Sequence, residues 1–234
     1  MFNKRIAPKN IPEHIGIILD GNGRWATRRG LPRSFGHREG VESILRTIDA
    51  GLKFGIKCMS VFTFSTENWK RSKEEVDYIF SLVKDVFERE IDRLVSSGVK
   101  VNFFGDLSAF SEDMQEILNK AYNLSKNNDR LIFNMCLNYG GKQDIVQSVN
   151  KLISNGKKVI TERDISDNLY SHGLPDLDFV IRTSGEERIS NFMIYQAAYA
   201  ELYFPKVLWP DFDEKEFYKA LVVYSKRKRR FGGY

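Results

Sequence analysis

The chain alternates short, nearly unbroken apolar runs with longer segments in which apolar residues recur every three or four positions. The first pattern predicts strands buried on both faces, the second helices with one face turned to a core. Runs at 15–19, 56–64, 99–104, 131–137, 177–181 and 202–204 predict six strands. Between them, the segment 38–54 places Val41, Ile44, Leu45, Ile48 and Leu52 on one helical face, with Gly55 as its stop. Ser72 and Glu75 spell a capping box ahead of a long helix at 73–96, whose apolar residues are Val76, Ile79, Phe80, Val83, Phe87, Ile91 and Leu94. Further helices are expected at 111–125, 143–154, 162–170, 191–197 and 214–229. Strands separated by helices pair in parallel through right-handed crossovers. The expected fold is therefore α/β: a central six-stranded, mostly parallel sheet flanked by helices.

A length of 234 residues suits one domain, 1–234, with 1–10 as an N-terminal arm and 226–234 as a basic C-terminal tail. With 42% hydrophobic and 29% charged residues the composition is that of a globular protein. No apolar stretch approaches the roughly 18 residues that span a bilayer, and residues 1–10 lead into no apolar signal segment, so a cytoplasmic location is expected. The net charge of +5 is the size of one run, Lys226-Arg227-Lys228-Arg229-Arg230. The basic balance is thus largely a property of the tail, and no nucleic-acid partner is expected. The run itself reads as a solvated helix end, as a contact for anionic headgroups at the inner face of the membrane, or as a piece of an active site completed across a subunit boundary. Cys58 and Cys136 lie inside apolar runs and are expected as buried free thiols.

Polar chemistry collects where strands end. The first strand runs into Asp20-Gly21-Asn22-Gly23-Arg24-Trp25. Two glycines let the backbone bend and offer N–H groups to an anion, Asp20 suits a hard divalent cation, and Arg24 can fork onto phosphate oxygens. Arg33 and His37 follow at a probable helix start, a natural anion site. Ser65-Thr66-Glu67-Asn68-Trp69-Lys70-Arg71 closes the second strand, and Arg182-Thr183-Ser184-Gly185-Glu186-Glu187-Arg188-Ile189-Ser190-Asn191 closes a late one. Asp20, Ser65, Asn138 and Arg182 fall at the carboxyl ends of strands, where ligands of open α/β sheets bind. Two arginine groups on different strands make sense if two anions bind at once. Glu201, a lone carboxylate on an apolar strand edge, is expected to meet a metal. The chain has no G-x-G-x-x-G fingerprint, Walker loop or DDxxD pattern, and fewer than eight βα units, which argues against dinucleotide binding, a TIM barrel and an all-α trans-prenyltransferase.

These motifs, with Asn138-Tyr139-Gly140-Gly141, Ala200-Glu201-Leu202-Tyr203-Phe204, Leu208-Trp209-Pro210-Asp211-Phe212 and Arg230-Phe231-Gly232-Gly233, resemble those of cis-prenyltransferases, in particular bacterial undecaprenyl diphosphate synthases. The resemblance runs from about residue 11 to the last and keeps the family's order. It implies condensation of isopentenyl diphosphate onto an allylic diphosphate, farnesyl diphosphate by default, with Z double bonds and Mg²⁺ as cofactor. A polyprenyl diphosphate results, undecaprenyl by default. A shorter product, or a non-catalytic partner subunit of the same fold, are the alternatives. It further implies that Asp20 is the metal-linked catalytic carboxylate and Glu201 a second metal ligand. Gly21, Asn22, Gly23, Arg24, Arg33 and His37 would hold the allylic diphosphate; Arg182, Arg188 and Ser190 would hold isopentenyl diphosphate, with Ile189 between them. Ser65, Thr66, Glu67, Trp69 and Arg71 belong to the substrate loop, and Trp25 would shield the cation or the chain. Asn68 takes the position proposed as proton acceptor. A neutral amide is a poor base, so pyrophosphate is the better acceptor and Asn68 with Ser65 would orient it. The helices at 38–54 and 73–96 would wall a hydrophobic channel, with Ile79, Leu82, Val83, Phe87 and Leu131 as its floor. A homodimer is implied, and lipid contact at product release. Three positions depart from the commonest family pattern: Ser72, Ser184 and Lys142 stand where proline, glycine and arginine are frequent.

Overall fold

The computed structural model describes residues 7–229. All six strands form, as β1 His14–Ile18, β2 Cys58–Ser65, β3 Val99–Phe104, β4 Leu131–Tyr139, β5 Phe179–Arg182 and β6 Glu201–Tyr203. They pair in the order β3-β4-β2-β1-β5-β6, and every pairing is parallel. The helices are α1 Asn22–Thr27, α2 Arg33–Phe54, α3 Lys73–Ser96, α4 Glu112–Ser125, α5 Gly141–Ser154, α6 Glu162–Ser166 and α7 Glu214–Ser225.

Side chains that alternate along the strands feed two unequal cores. Ile15, Ile17, Met135, Leu137, Phe179 and Ile181 join the larger one, where Ile44, Ile48, Val83, Leu118 and Phe217 arrive from α2, α3, α4 and α7. Ile18, Phe104, Cys136 and Val180 face the smaller one, plugged by Phe192 and Met193. That plug corrects one expectation. The segment 191–197 is not an α-helix, because Ser190, Asn191 and Met193 take left-handed φ values of 46°, 66° and 42°, and only a short 3₁₀ turn, Gln196–Tyr199, follows. The helices expected at 162–170 and 214–229 stop earlier, at Ser166 and Ser225, while α1 was not foreseen.

The smaller core is polar at its lower end. His14 Nδ1–H donates to the Pro175 carbonyl at 2.9 Å, which leaves Nε2 to accept from the Ser60 hydroxyl at 2.8 Å. Ser60 accepts from Asn134 Nδ2 at 3.0 Å, and Asn134 Oδ1 from Asn102 Nδ2 at 3.0 Å. This chain crosses β1, β2, β4 and β3 in sheet order, so a slip of any strand would break it. His14 therefore supports the sheet.

Burial pushes the His14 pKa down from 6.5 to about 4, against opposition from the Pro175 carbonyl and from Asp178 and Asp176. The unfolded chain binds this proton between those two values and the folded chain does not. Stability from neutral His14 is thus complete above pH 6.5 and is lost as pH falls towards 4, on the order of 3 kcal/mol in all. Urea unfolding at pH 7 and pH 4 should show that loss in the wild type and a much flatter response in His14→Gln. Equal pH slopes in the two proteins would remove His14 from the account.

Candidate active site

The carboxyl ends of β1, β2 and β5 open into one cleft of about 800 Å³. β1 ends in a sharp turn, Asp20 N–H donating to the Ile18 carbonyl at 3.0 Å, and Gly21 continues it at φ 115°, a value that disfavours any side chain. The chain then enters α1, which rests directly on α2. A Cβ on Gly36 would lie 2.0 Å from the Asn22 carbonyl oxygen, and one on Gly40 2.4 Å from Asn22 Oδ1. The spacing Gly36-x-x-x-Gly40 is thus what lets the Asp20–Arg24 turn sit down on the helix carrying Arg33 and His37.

Asp20 lies between two guanidinium groups. Arg24 Nη2 reaches its Oδ1 at 3.0 Å, and Arg182 Nη2 and Nε reach its Oδ2 at 2.9 and 3.3 Å. Burial works against ionisation, yet the hydrogen bonds and charge of Arg182 and Arg24 prevail and hold the carboxyl below its ordinary value. Arg182 also donates to the Arg188 carbonyl at 2.8 Å and to Ser190 Oγ at 2.7 Å, which ties down the loop after β5. The two arginine groups meet across Glu186: Arg24 Nη1 reaches its Oε1 at 3.0 Å, and Arg188 Nη1 its Oε2 at 2.7 Å.

A second cationic cluster faces the cleft from α2 and the β2–α3 loop. Glu75 Oε1 gathers Arg71 at 3.1 Å, His37 Nε2 at 3.2 Å and Arg33 at 3.7 Å. Ser72 Oγ does accept from Glu75 N at 3.3 Å, but the Glu75 carboxylate serves these cations rather than closing the capping box. Burial is the main cause lowering the His37 pKa, with Arg71 and Arg33 adding to it against the pull of Glu75. Asn68 Oδ1 already accepts from Ser65 N–H at 3.0 Å, so this residue presents its amide N–H groups to a ligand.

Below this polar mouth the cleft turns apolar. Ile18, Val41 and Ile44 line it together with Ile79, Leu82 and Val83. A smaller cavity of about 30 Å³ shares Val41, Ile44, Thr63 and Val83 with it and continues past Phe87 to Leu94, Phe133 and Met135. α2 and α3 thus line both spaces. Leu131 lines neither space, being packed at the start of β4.

The structure brings Asp20, Gly21, Asn22, Gly23, Arg24, Arg33, His37, Ser65, Glu67, Asn68, Arg71, Arg182 and Ser190 to the cleft. Other expected residues lie outside its lining. Trp25 Nε1 donates to Asp211 at 2.7 Å under a stacked Arg29, and Trp69 Nε1 donates to Asn138 at 2.8 Å, packed on Phe64, Phe80 and Phe110. Both tryptophans anchor loops. Thr66 donates to Glu67, Ile189 packs on the smaller core, and Arg188 reaches the site through Glu186.

Glu201 lies outside the lining of this cleft. Its register partner is Phe179, whose own partner is Ile15, so it stands five residues short of Asp20 and two strands away. At about 3.3 Å per residue that is on the order of 15 Å along the strands, too far for one ion to bridge both carboxylates in a single chain. Glu201 pairs with Arg227 at 3.8 Å. Arg229 pairs with Asp178, so part of the basic run is occupied at this lower end of the sheet; Arg230-Phe231-Gly232-Gly233 lies outside the described residues. Glu75 and Glu186 were missed as organisers of the two cationic clusters. Their only signal in the sequence was an acid standing next to arginines.

A parallel sheet with this rim, paired arginine clusters and an apolar channel defines a binder of phosphorylated lipids. A family model described as "Putative undecaprenyl diphosphate synthase" matches residues 18–232. The chain belongs to this prenyltransferase family. It is 47% identical to an isoprenyl transferase of Fusobacterium nucleatum, over 96% of this chain and 97% of that one. It is 44% identical to a ditrans,polycis-undecaprenyl-diphosphate synthase, (2E,6E)-farnesyl-diphosphate specific, of Pasteurella multocida, over 97% of each chain. The crystal structure of lavandulyl diphosphate synthase from Lavandula x intermedia with dimethylallyl diphosphate superposes with a TM-score of 0.91 at 33% identity, over 95% of this chain and 98% of that one.

Proposed function

We propose that this protein condenses isopentenyl diphosphate units onto an allylic diphosphate, farnesyl diphosphate by preference, forming Z double bonds and a long polyprenyl diphosphate of the undecaprenyl class. One observation carries the reading: a single cleft joins two cationic clusters at its mouth to an apolar channel between α2 and α3. A ligand that fills it has an anionic head and a hydrocarbon tail.

The chemistry follows from the charges. The allylic C–O bond ionises, pyrophosphate leaves, and the double bond of isopentenyl diphosphate attacks before a proton is lost. Arg33, His37, Arg71 and the turn at Gly21–Arg24 receive the allylic head, while Arg182 and Ser190, with Arg188 beside them, receive the second. Preorganised donors in a partly dry cleft act most strongly on the charge that develops as pyrophosphate departs. Asn68, its carbonyl engaged, orients the pyrophosphate that accepts the proton.

Among the described residues no cluster of three or more His, Cys, Asp or Glu side chains could cage a metal. One hard carboxylate, Asp20, at a diphosphate site does suit Mg²⁺, which is commonly held by one or two carboxylates and substrate phosphates. Held there, Mg²⁺ supplies positive charge to the leaving pyrophosphate. A homodimer belongs to the proposal, supported by the three-residue edge strand β6 with Leu202 exposed. No helix among the described residues is long and apolar enough to cross a membrane, in keeping with a cytoplasmic enzyme that meets the inner membrane face to deliver its product.

Purified protein given farnesyl diphosphate, isopentenyl diphosphate and Mg²⁺ should yield products lengthened in five-carbon steps with Z geometry, read by mass spectrometry and NMR. Newly formed E bonds would contradict the reaction, and a folded protein with no condensation would contradict the enzyme.

A further inference from the structure

The turn after β5 holds a residue that geometry disfavours. Ser184 takes φ 75°, ψ 6°, a left-handed conformation that costs a side-chain-bearing residue and suits glycine. The surroundings impose it: Ser184 N–H donates to the Val207 carbonyl at 2.7 Å and Gly185 N–H to the Pro205 carbonyl at 2.9 Å, while Thr183 Oγ1 donates to the Asp20 carbonyl at 2.6 Å. With both flanks tied, the backbone cannot relax to suit serine. What serine adds is its hydroxyl, and that oxygen accepts from Arg24 Nη2 at 2.6 Å.

Arg24 has five N–H donors on a flat fork. Nη2 serves Asp20 and Ser184, and Nη1 serves Glu186. Glu186 is a longer, half-buried partner that it shares with Arg188, and Asp20 is needed elsewhere in the reaction. Ser184 alone is neutral, short and mounted on an anchored turn, so it keeps its grip when diphosphate draws the neighbouring charges into new pairings. We propose that Ser184 is a positioning residue: its hydroxyl, held out by a strained backbone, fixes the plane of Arg24 so that the remaining donors meet the allylic diphosphate. This rests on the prenyl-transfer reading above and adds to it a link from the β5 turn to the β1 turn.

Strain and hydroxyl are separable by substitution. Ser184→Gly removes both, Ser184→Ala removes the hydroxyl and keeps the strain, and Ser184→Asn restores an acceptor oxygen on a residue that tolerates this conformation. Ser184→Gly is expected to melt several degrees higher than Ser184→Ala, yet both should raise KM for the allylic diphosphate about tenfold, the weight of one hydrogen bond to a charged group. KM for isopentenyl diphosphate should move less than threefold, and Ser184→Asn should recover most of the loss. Calorimetric binding of farnesyl thiodiphosphate, a non-ionising analogue, should repeat the tenfold change without turnover. A folded Ser184→Gly with wild-type allylic KM and analogue affinity overturns the positioning role while leaving prenyl transfer intact. A wild-type protein that neither binds the analogue nor turns over overturns the reading on which it rests.

Discussion

Replacing Asp20 by alanine is expected to lower turnover about 10³-fold while leaving the protein folded. The rate loss corresponds to about 4 kcal/mol of transition-state stabilisation, the scale of removing a preorganised charge-handling group. The fold persists because other contacts survive. Arg182 keeps the Arg188 carbonyl and Ser190 Oγ, and Arg24 keeps Ser184 and Glu186. Each of the three hydrogen bonds lost from this partly exposed carboxylate is worth about 1 kcal/mol, and at roughly 2–4 °C per kcal/mol the midpoint should fall by roughly 6–12 °C. Ground-state binding should not fall with turnover. Two guanidinium groups freed from an internal counter-charge attract diphosphate at least as well, so analogue affinity is expected to hold or tighten. Asp20→Asn separates charge from shape: it keeps the size and an acceptor oxygen, and should be almost as slow as alanine. Wild-type turnover by the asparagine variant would show that the negative charge has no part in the reaction.

Strands buried on both faces read as continuous apolar runs, so all six were visible, and their parallel pairing followed from the helices between them. α1 was invisible because Asn22–Thr27 is too short to show a period; it exists because Gly36 and Gly40 make room for it. The false helix at 191–197 arose because Phe192 and Met193 supply apolar residues without a helical backbone. Their burial plugs the smaller core, and the left-handed residues around them set the turn. Within the site, Asp20, Ser65 and Arg182 were legible from position alone, since the carboxyl end of a strand fixes where a residue stands. Trp25, Trp69, Glu75 and Glu186 were not. Their partners come from other loops, or from acid–base choices that local spacing leaves open, as when Glu75 turns from its cap to Arg71, His37 and Arg33. Glu201 shows the opposite limit: within one chain, strand register places it at the far end of the sheet from Asp20, a separation its local motif does not reveal.

Channel length should be governed at the narrow passage where the wide cleft meets the deeper apolar cavity. Val83 lines both spaces, is 3% exposed and lies on α3 opposite Val41 and Ile44 of α2. Each isoprene unit drawn past it buries five carbons, about 3 to 4 kcal/mol at ~0.8 kcal/mol per CH₂. At tenfold per 1.4 kcal/mol, that is a factor of several hundred favouring retention over release at each step. Val83→Trp would fill the passage and withdraw this gain beyond the first units. The products should therefore collapse to chains several units shorter than wild type, while the first condensation persists at the polar mouth. Overpacking costs about 1–3 kcal/mol, so the variant should melt lower but remain folded. Val83→Ala opens the same passage and should shift the distribution the other way or broaden it upward. Product masses from both variants, taken at equal conversion, decide the matter. An unchanged chain-length distribution in folded Val83→Trp would mean that the growing chain runs elsewhere, and the space between α2 and α3 would revert to ordinary core.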